Sequence, residues 1–427
     1  MIKINNFNTK LADLFIKSQE NLSSTRFIQD TATNWAPKAV FARSREDFFE
    51  MSFLEFLESG IFYFASPVLG EKLFRNKIFK NLAPKNIRNQ INELIPKSTA
   101  EILKNKNISN EIKKRAIATK AGIVLACTAI PVAEYVLSFA KNLFTLKTFN
   151  KSNFNNIANL DKNEKEDKKQ QEYVEQNSKK HLKRGALVSI GAFAAGLLLA
   201  LCGNKSNKLQ TLSKTILEPG KTISNLGKNL GIKSKKTDNI LSRFSLDFAN
   251  ENGKLALSKG QLALTAIVGL FGYSKAAEDR GKLDVQEVWT RVPLVVFYTI
   301  FGSELFEKGF IKILQNKGKC KDIIKQGKEG ATEIVKRAEL ENLAKTLAKA
   351  KNTNTEKELS RLIKEKAFVT GVPYAFSLLF MGLTLSAITR LFTQYRYNKE
   401  NKTKDNSSLQ TGFEIKNHLP QVFSAFR

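Results

Sequence analysis

The chain alternates apolar blocks with long runs rich in lysine, asparagine and serine, and the block lengths decide what it can build. The longest block runs from Ala367 to Thr389, 23 uncharged residues closed by Arg390. As a helix rising about 1.5 Å per residue, it would cross a hydrocarbon core of about 30 Å. Gly185 to Asn204 is a second block, with Lys183, Arg184 and Lys205 placed to anchor its ends among headgroups. Ala121 to Ala140 is a third; it carries Glu134 and Pro131, and the proline calls for neighbouring helices to satisfy the carbonyl it releases. Gly260 to Ser274 has 15 uncharged residues and reaches spanning length when the upstream KLALSK joins it. Ser59 to Gly70 and Val292 to Ser303 have 12 each, with Glu71 and Glu304 just beyond. Alone, these last two read as core, interfacial or re-entrant helices; extended over their flanks they reach membrane length.

The two short blocks also fall on each other when the chain is compared with itself. Residues 42–82 align without a gap to 274–314, pairing Glu46-Asp47 with Glu278-Asp279, Glu55 with Glu287 and Gly70 with Gly302. Further on, IKKRAIAT from Ile112 resembles IKEKAFVT from Ile363, and LSFAKNLFT at 137–145 resembles LSAITRLFT at 385–393. Ordered matches of this kind predict a duplication. The expected fold is therefore all-α, a multi-pass helical membrane protein with about six transmembrane helices, an internal duplication and partly helical basic connections.

The expected organisation has five parts. Residues 1–150 form an N-terminal membrane repeat with apolar segments near 52–70 and 121–144, followed by a charged linker over 151–184. Residues 185–259 add a transmembrane segment and a basic connection. Residues 260–400 form the C-terminal repeat, with segments near 260–274, 290–308 and 367–389, and 401–427 is a polar tail. The sequence from Met1 to Gln19 has no apolar stretch followed by a small-residue cleavage site, so insertion is expected to depend on internal segments.

Composition alone leaves a soluble chain open, with 42% hydrophobic residues and a mean hydropathy of −0.27 over 427 residues. Charge changes the picture more. The formal net charge of +29 attracts anionic surfaces, and the excess lies between the apolar blocks. Residues 75–120 hold 12 Lys/Arg against 3 Asp/Glu, 204–259 hold 11 against 4, and 307–366 hold 16 against 9. Six parallel-repeat spans put these three connections on one side, as the preference of Lys and Arg for the cytoplasmic face requires. Four spans, with the short segments re-entrant, would invert the repeat. A soluble helical bundle is the third architecture.

Chemistry is sparse. No phosphate loop, HExxH helix, nucleophile elbow or Cys-x-x-Cys pair is present, so neither an enzyme nor a cofactor or metal site is expected. Cys127, Cys202 and Cys320 are too far apart in sequence to suggest a zinc cluster, and the first two read as small buried hydrophobes. His181 and His418 stand alone in polar sequence. The candidate ion- or proton-binding residues are acidic groups in or beside apolar blocks: Glu134, Glu71 and Glu304. Gly191, Ala192, Ala195 and Gly196 form two interleaved small-xxx-small pairs, the pattern of close helix packing within a chain or between copies. Arg291, beside Pro293, reads as an interface anchor.

Two functions follow as expectations. One is a membrane scaffold or accessory protein whose basic connections meet anionic lipids or an acidic protein partner. The other is a secondary transporter or channel-like protein using intramembrane acidic residues. The expected partner in both is the lipid bilayer; homo-oligomers fit the small-residue pairs, and nucleic acid is not expected. The expected location is a membrane, the plasma (inner) membrane for a bacterial source.

Overall fold

The computed structural model describes residues 8–20, 24–161, 165–229, 241, 244–251, 253–326 and 332–414. It is 81% helical. Helices α1 (Thr9–Glu20), α2 (Ser24–Val40) and α3 (Arg45–Phe64) open the chain; α2 and α3 form a hairpin. Further on come α4 (Asn110–Ala126) and α5 (Ala129–Phe149), separated by a turn at Cys127–Thr128, then α6 (Lys168–Cys202) and α7 (Asn207–Leu217). A second hairpin, α8 (Lys259–Glu278) and α9 (Lys282–Phe297), leads into α10 (Ser303–Asn316). The chain ends with α11 (Leu340–Lys351), α12 (Thr355–Ser377) and α13 (Leu385–Glu414).

Three helices among the described residues are long and apolar enough to cross a membrane: Asn110–Phe149, Lys168–Cys202 and Thr355–Asn401. They contain the blocks at 121–144, 185–204 and 367–389. The segments at 52–70, 260–274 and 290–308, expected to bring the number to six, lie in helices that fall short of that combination. Charged residues explain the shortfall: Glu55 and Glu58 interrupt the first, Lys259 and Lys275 bracket the second, and Arg291 and Glu304 break the third.

Prolines shape three of these helices. The backbone winds into π-helix over Ala65–Phe79, Tyr298–Gly302 and Leu378–Thr384, with Pro67 inside the first and Pro293 and Pro373 one turn ahead of the others. A proline lacks the N–H that would bond four residues back, so Pro293 and Pro373 each remove one bond of the α ladder just upstream of a wider turn. Pro131 has a different remedy from the expected one. The helix stops at Ala126 and restarts at Ala129, so Pro131 sits in a first turn, where its missing N–H leaves no bond unmade.

Two connections carry regular structure. Residues 168–184, read as linker, are the first half of α6, a continuous 35-residue helix. Asp167 caps its start by accepting from the Lys169 amide, and Val174 and Ser178 are buried along it. Within 321–350, one of the connections expected to be partly helical, Ile324–Gln326 pairs antiparallel with Thr332–Ile334, and helix begins at Arg337. The apolar doublets Ile323-Ile324 and Ile334-Val335 fit a hairpin as well as a helix, and here they pack into the cores around α10, α11 and α12. Gly327 and Gly330 lie outside the described residues, as do His418 and the tail beyond Glu414; 401–414 of that tail extends α13.

The largest apolar core gathers α4, the short helices Arg88–Leu94 and Thr99–Lys104, the end of α6, α7 and the strand pair Ala249–Glu251 with Lys254–Ala256. Another joins α1, α11 and α12. Between these cores the two hairpins engage the long helices crosswise. The hairpin helix α3 lies on α5 and α9 lies on α13, while α8 packs on α5 and α2 packs on the π segment before α13.

Candidate functional site: an ionic junction between two helix hairpins

Each hairpin turn carries the same set of side chains. Arg43 precedes Asp47 by four residues and Glu50 by seven, and Arg280 stands in the same relation to Asp284 and Glu287. One helical turn brings an Arg and an Asp four apart onto one face. Gly281 has φ of 126°, a backbone region closed to other residues, and this lets the second turn bring Arg280 to the start of α9.

The two arginines are held reciprocally. Arg43 donates through Nε to Asp47 Oδ2 at 3.2 Å and through Nη1 and Nη2 to both oxygens of Glu287, at 2.8 and 3.1 Å. Arg280 places Nε 3.0 Å from Asp284 Oδ2 and donates through Nη1 to Glu50 Oε1 at 2.8 Å. Each arginine thus holds the aspartate of its own hairpin and the glutamate of the other. The glutamates are also served alike: Thr145 donates to Glu50 at 2.7 Å and Thr393 to Glu287 at 2.8 Å. These threonines end the matched stretches LSFAKNLFT and LSAITRLFT. Even the packing bonds mirror each other, since Trp35 donates to Ser52 across the first hairpin and Trp289 to Ser274 across the second.

Residues of the chain between α5 and α6 complete the junction. The Phe154 ring lies 5.3 Å from the Arg43 guanidinium and 5.7 Å from that of Arg280, under both cations at once. Its amide donates to the Arg280 carbonyl. Nothing in the composition of 151–184 pointed to this role.

Burial makes the arrangement strict. Arg280 is 2% exposed. Burial alone would push the Glu50 carboxyl up, but the charges of Arg280 and Lys141, the latter at 3.0 Å, hold it down at about 2. Burial pushes Asp284 above the ordinary carboxylate range, and the neighbouring Arg280 offsets that only in part. Burial would lower Arg280 itself, yet Asp284 and Glu50 outweigh it and keep the guanidinium charged.

A cavity of about 70 Å³ opens beside these pairs, roughly the room of two waters. Arg43, Asp47, Glu50, Lys141, Glu287 and Arg390 face it, with Tyr273 and Arg291 at one side. Arg291, read from sequence as an anchor, therefore lines the junction and makes no ion pair among the described residues. Arg390, the residue that closes the longest apolar block, reaches Asp47 at 3.6 Å and leaves Nη1 buried without a partner.

The sequence candidates separate. Glu134 is buried near the junction, 2% exposed, with Tyr273 donating to its Oε1 at 3.5 Å and its Oε2 unpartnered. Glu71 lies elsewhere, accepting from Arg75 at 2.8 Å, from Asn76 and from the Leu255 amide. Glu304 pairs with Lys259 at 2.5 Å and Lys308 at 2.6 Å. Of the small residues, Gly196 crosses α4 at Gly122 so closely that an added Cβ on either would meet the other's carbonyl oxygen at 2.4 Å. Gly191 and Ala195 face outward, and Ala192 is half-buried. His181 stacks on Phe139 at 4.1 Å and shares a bond with Tyr135; Cys127 is buried, Cys202 half-buried, and all three cysteines are free. Among the described residues no group of His, Cys, Asp and Glu is arranged to hold a metal ion.

Comparison with protein-family models, with curated proteins and with solved structures finds no match to this chain.

Proposed function

We propose that the chain is an integral membrane carrier of a small ion, built from two equivalent halves that meet at the ionic junction. The carrying observation is that junction: charged side chains from both hairpins line a small cavity and bond reciprocally beside it. Carriers of duplicated design place their sites between repeats, where broken helices release backbone groups. The junction lies between the two matched hairpins in the same way.

Membrane insertion is supported by where the apolar surface goes. Only 22% of the most apolar window of Lys168–Cys202 and 17% of that of Thr355–Asn401 is buried inside the protein. Leu187, Val188, Ile190 and Leu198 project outward from α6, and Leu379, Ile388 and Leu391 from the last helix. Water penalises continuous apolar faces of this kind, and lipid does not. Phe56, Leu57, Phe64 and Val68 are also exposed, as are Leu294, Phe297 and Leu305, which supports six spans with both short segments crossing.

Reconstitution tests the reading. Vesicles containing the protein should leak a proton or monovalent-cation gradient faster than protein-free vesicles, and Val288→Trp, which fills the cavity, should stop the leak. Release of the chain by alkaline carbonate, or vesicles as tight with the protein as without it, would overturn the carrier.

The scaffold reading has one observation of its own. Lys113, Lys114 and Lys214 line a groove with Asn110, Asn207 and Gln210 over an apolar floor of Leu103 and Ile117. That chemistry suits an anionic lipid headgroup. Binding that does not change between neutral and anionic vesicles would remove it.

A further inference from the structure

We infer that Glu134 is the ion site of this carrier and that its ligand is a proton, delivered from the junction cavity through Tyr273. The inference rests on the carrier reading for its use in transport, and on local geometry for its existence.

Glu134 stands on α5, facing α3 and α8. From α3, Glu55 and Glu58 both act on it electrostatically. From α8, the Tyr273 hydroxyl donates to Oε1 at 3.5 Å, and Gly269 lies directly beneath the carboxyl. A methyl group on Gly269 would come within 2.8 Å of Glu134 Cγ and 3.3 Å of Oε1, so the glycine makes room for the acid. Oε2 is fully enclosed and has no hydrogen-bond partner.

The nearby cations do not answer this need. Lys38, from α2, is bonded to Glu55, and Arg291, from α9, faces the cavity and acts on Glu58 and Tyr273. On the α6 side, His181 is taken up by Phe139 and Tyr135. The enclosed Glu134 and the half-buried Glu58 therefore share a region in which no cation is bonded to Glu134, an arrangement that a bound proton relieves. A metal ion would need further ligands, and the described residues offer no such group.

Tyr273 gives the proton its path. Its side chain lines the cavity on one side and bonds Glu134 on the other. A proton arriving from cavity water adds to the phenol oxygen as the phenol's own proton passes to Glu134 Oε1. The tyrosine ends as it began, and the charge has moved one step inward.

Infrared spectroscopy of the full chain in liposomes tests the site without relying on transport. At neutral pH the protein should show the carbonyl band of a protonated carboxylic acid, shifted in D2O and lost in Glu134→Gln. Tyr273→Phe, which removes one hydrogen bond and only the hydroxyl oxygen, should move the band while retaining it; Glu304→Gln should leave it in place. No such band in the native chain, or a band unchanged in Glu134→Gln, would overturn the proton site. If Glu134→Gln does not fold, the Tyr273→Phe shift decides. The expected band with vesicles that stay tight would support the site and remove the carrier.

Discussion

Glu50 and Glu134 are both buried carboxylates beside the same junction, yet their surroundings differ in kind. Glu50 accepts from Arg280 and Thr145 and lies 3.0 Å from Lys141, so both its oxygens are engaged. Glu134 has one long bond from Tyr273 and an oxygen with none. A carboxylate of the first kind fixes how two elements meet, since removing any partner strands a charge. One of the second kind leaves its charge largely uncompensated by the protein. Compensated and uncompensated acids thus stand side by side, told apart by their partners and not by their burial.

The largest expected effect comes from breaking the compensated member. Arg280→Met strands Glu50 and Asp284 and should cost about 3–5 kcal/mol in denaturant unfolding. Adding Glu50→Met to it should recover a substantial part, because the second change removes the charge the first left bare. A double variant no more stable than the single one would show that Glu50 is not held chiefly by Arg280.

Acid should act next. The Glu50 carboxyl titrates at about 2 in the folded chain against 4.5 for an ordinary glutamate. Its folded value is depressed, so its contribution, of the order of 3 kcal/mol, is complete above about pH 4.5 and drains away as pH falls toward 2. Asp284 has the opposite sign: burial raises its folded value, so its protonation favours the fold as pH falls. Glu50→Gln should flatten the acid limb of a stability profile measured by fluorescence, and an unchanged limb would assign that loss to other groups.

Glu134→Gln should be far gentler. With little compensation to lose, the amide should change stability by about 1 kcal/mol or less. A loss as large as that of Arg280→Met would erase the contrast between the two acids. Smallest of all is Lys259→Ala. It removes an exposed partner of Glu304, and its effect should stay within about 0.5 kcal/mol in the same unfolding assay.

Much of the frame was legible in the sequence. Apolar runs of sufficient length identify three of the long helices, because hydropathy and length are local properties. The junction was not legible for a physical reason. The ungapped register sets Asp47 on Asp279 and Glu55 on Glu287, whereas the side chains that play equivalent parts are Arg43, Asp47 and Glu50 with Arg280, Asp284 and Glu287. Different spacing through the two hairpin turns displaces one set against the other, and only the recurrence of Arg, Asp and Glu at four and seven residues signalled it. Phe154 gave no signal, since a lone aromatic in a polar connection looks the same whether it is exposed or placed under two arginines. Glu134 stood out as an acid in an apolar run, while Glu71 and Glu304 stood out equally and proved to be paired. Partners decide, and partners come from the fold.

The most direct test of the difference between the two acids is the decay of an imposed pH gradient in liposomes holding the native chain or Glu134→Gln. The account predicts that the native chain collapses the gradient and that the variant, equally well folded, holds it as protein-free vesicles do. Equal decay in native and variant vesicles would contradict it.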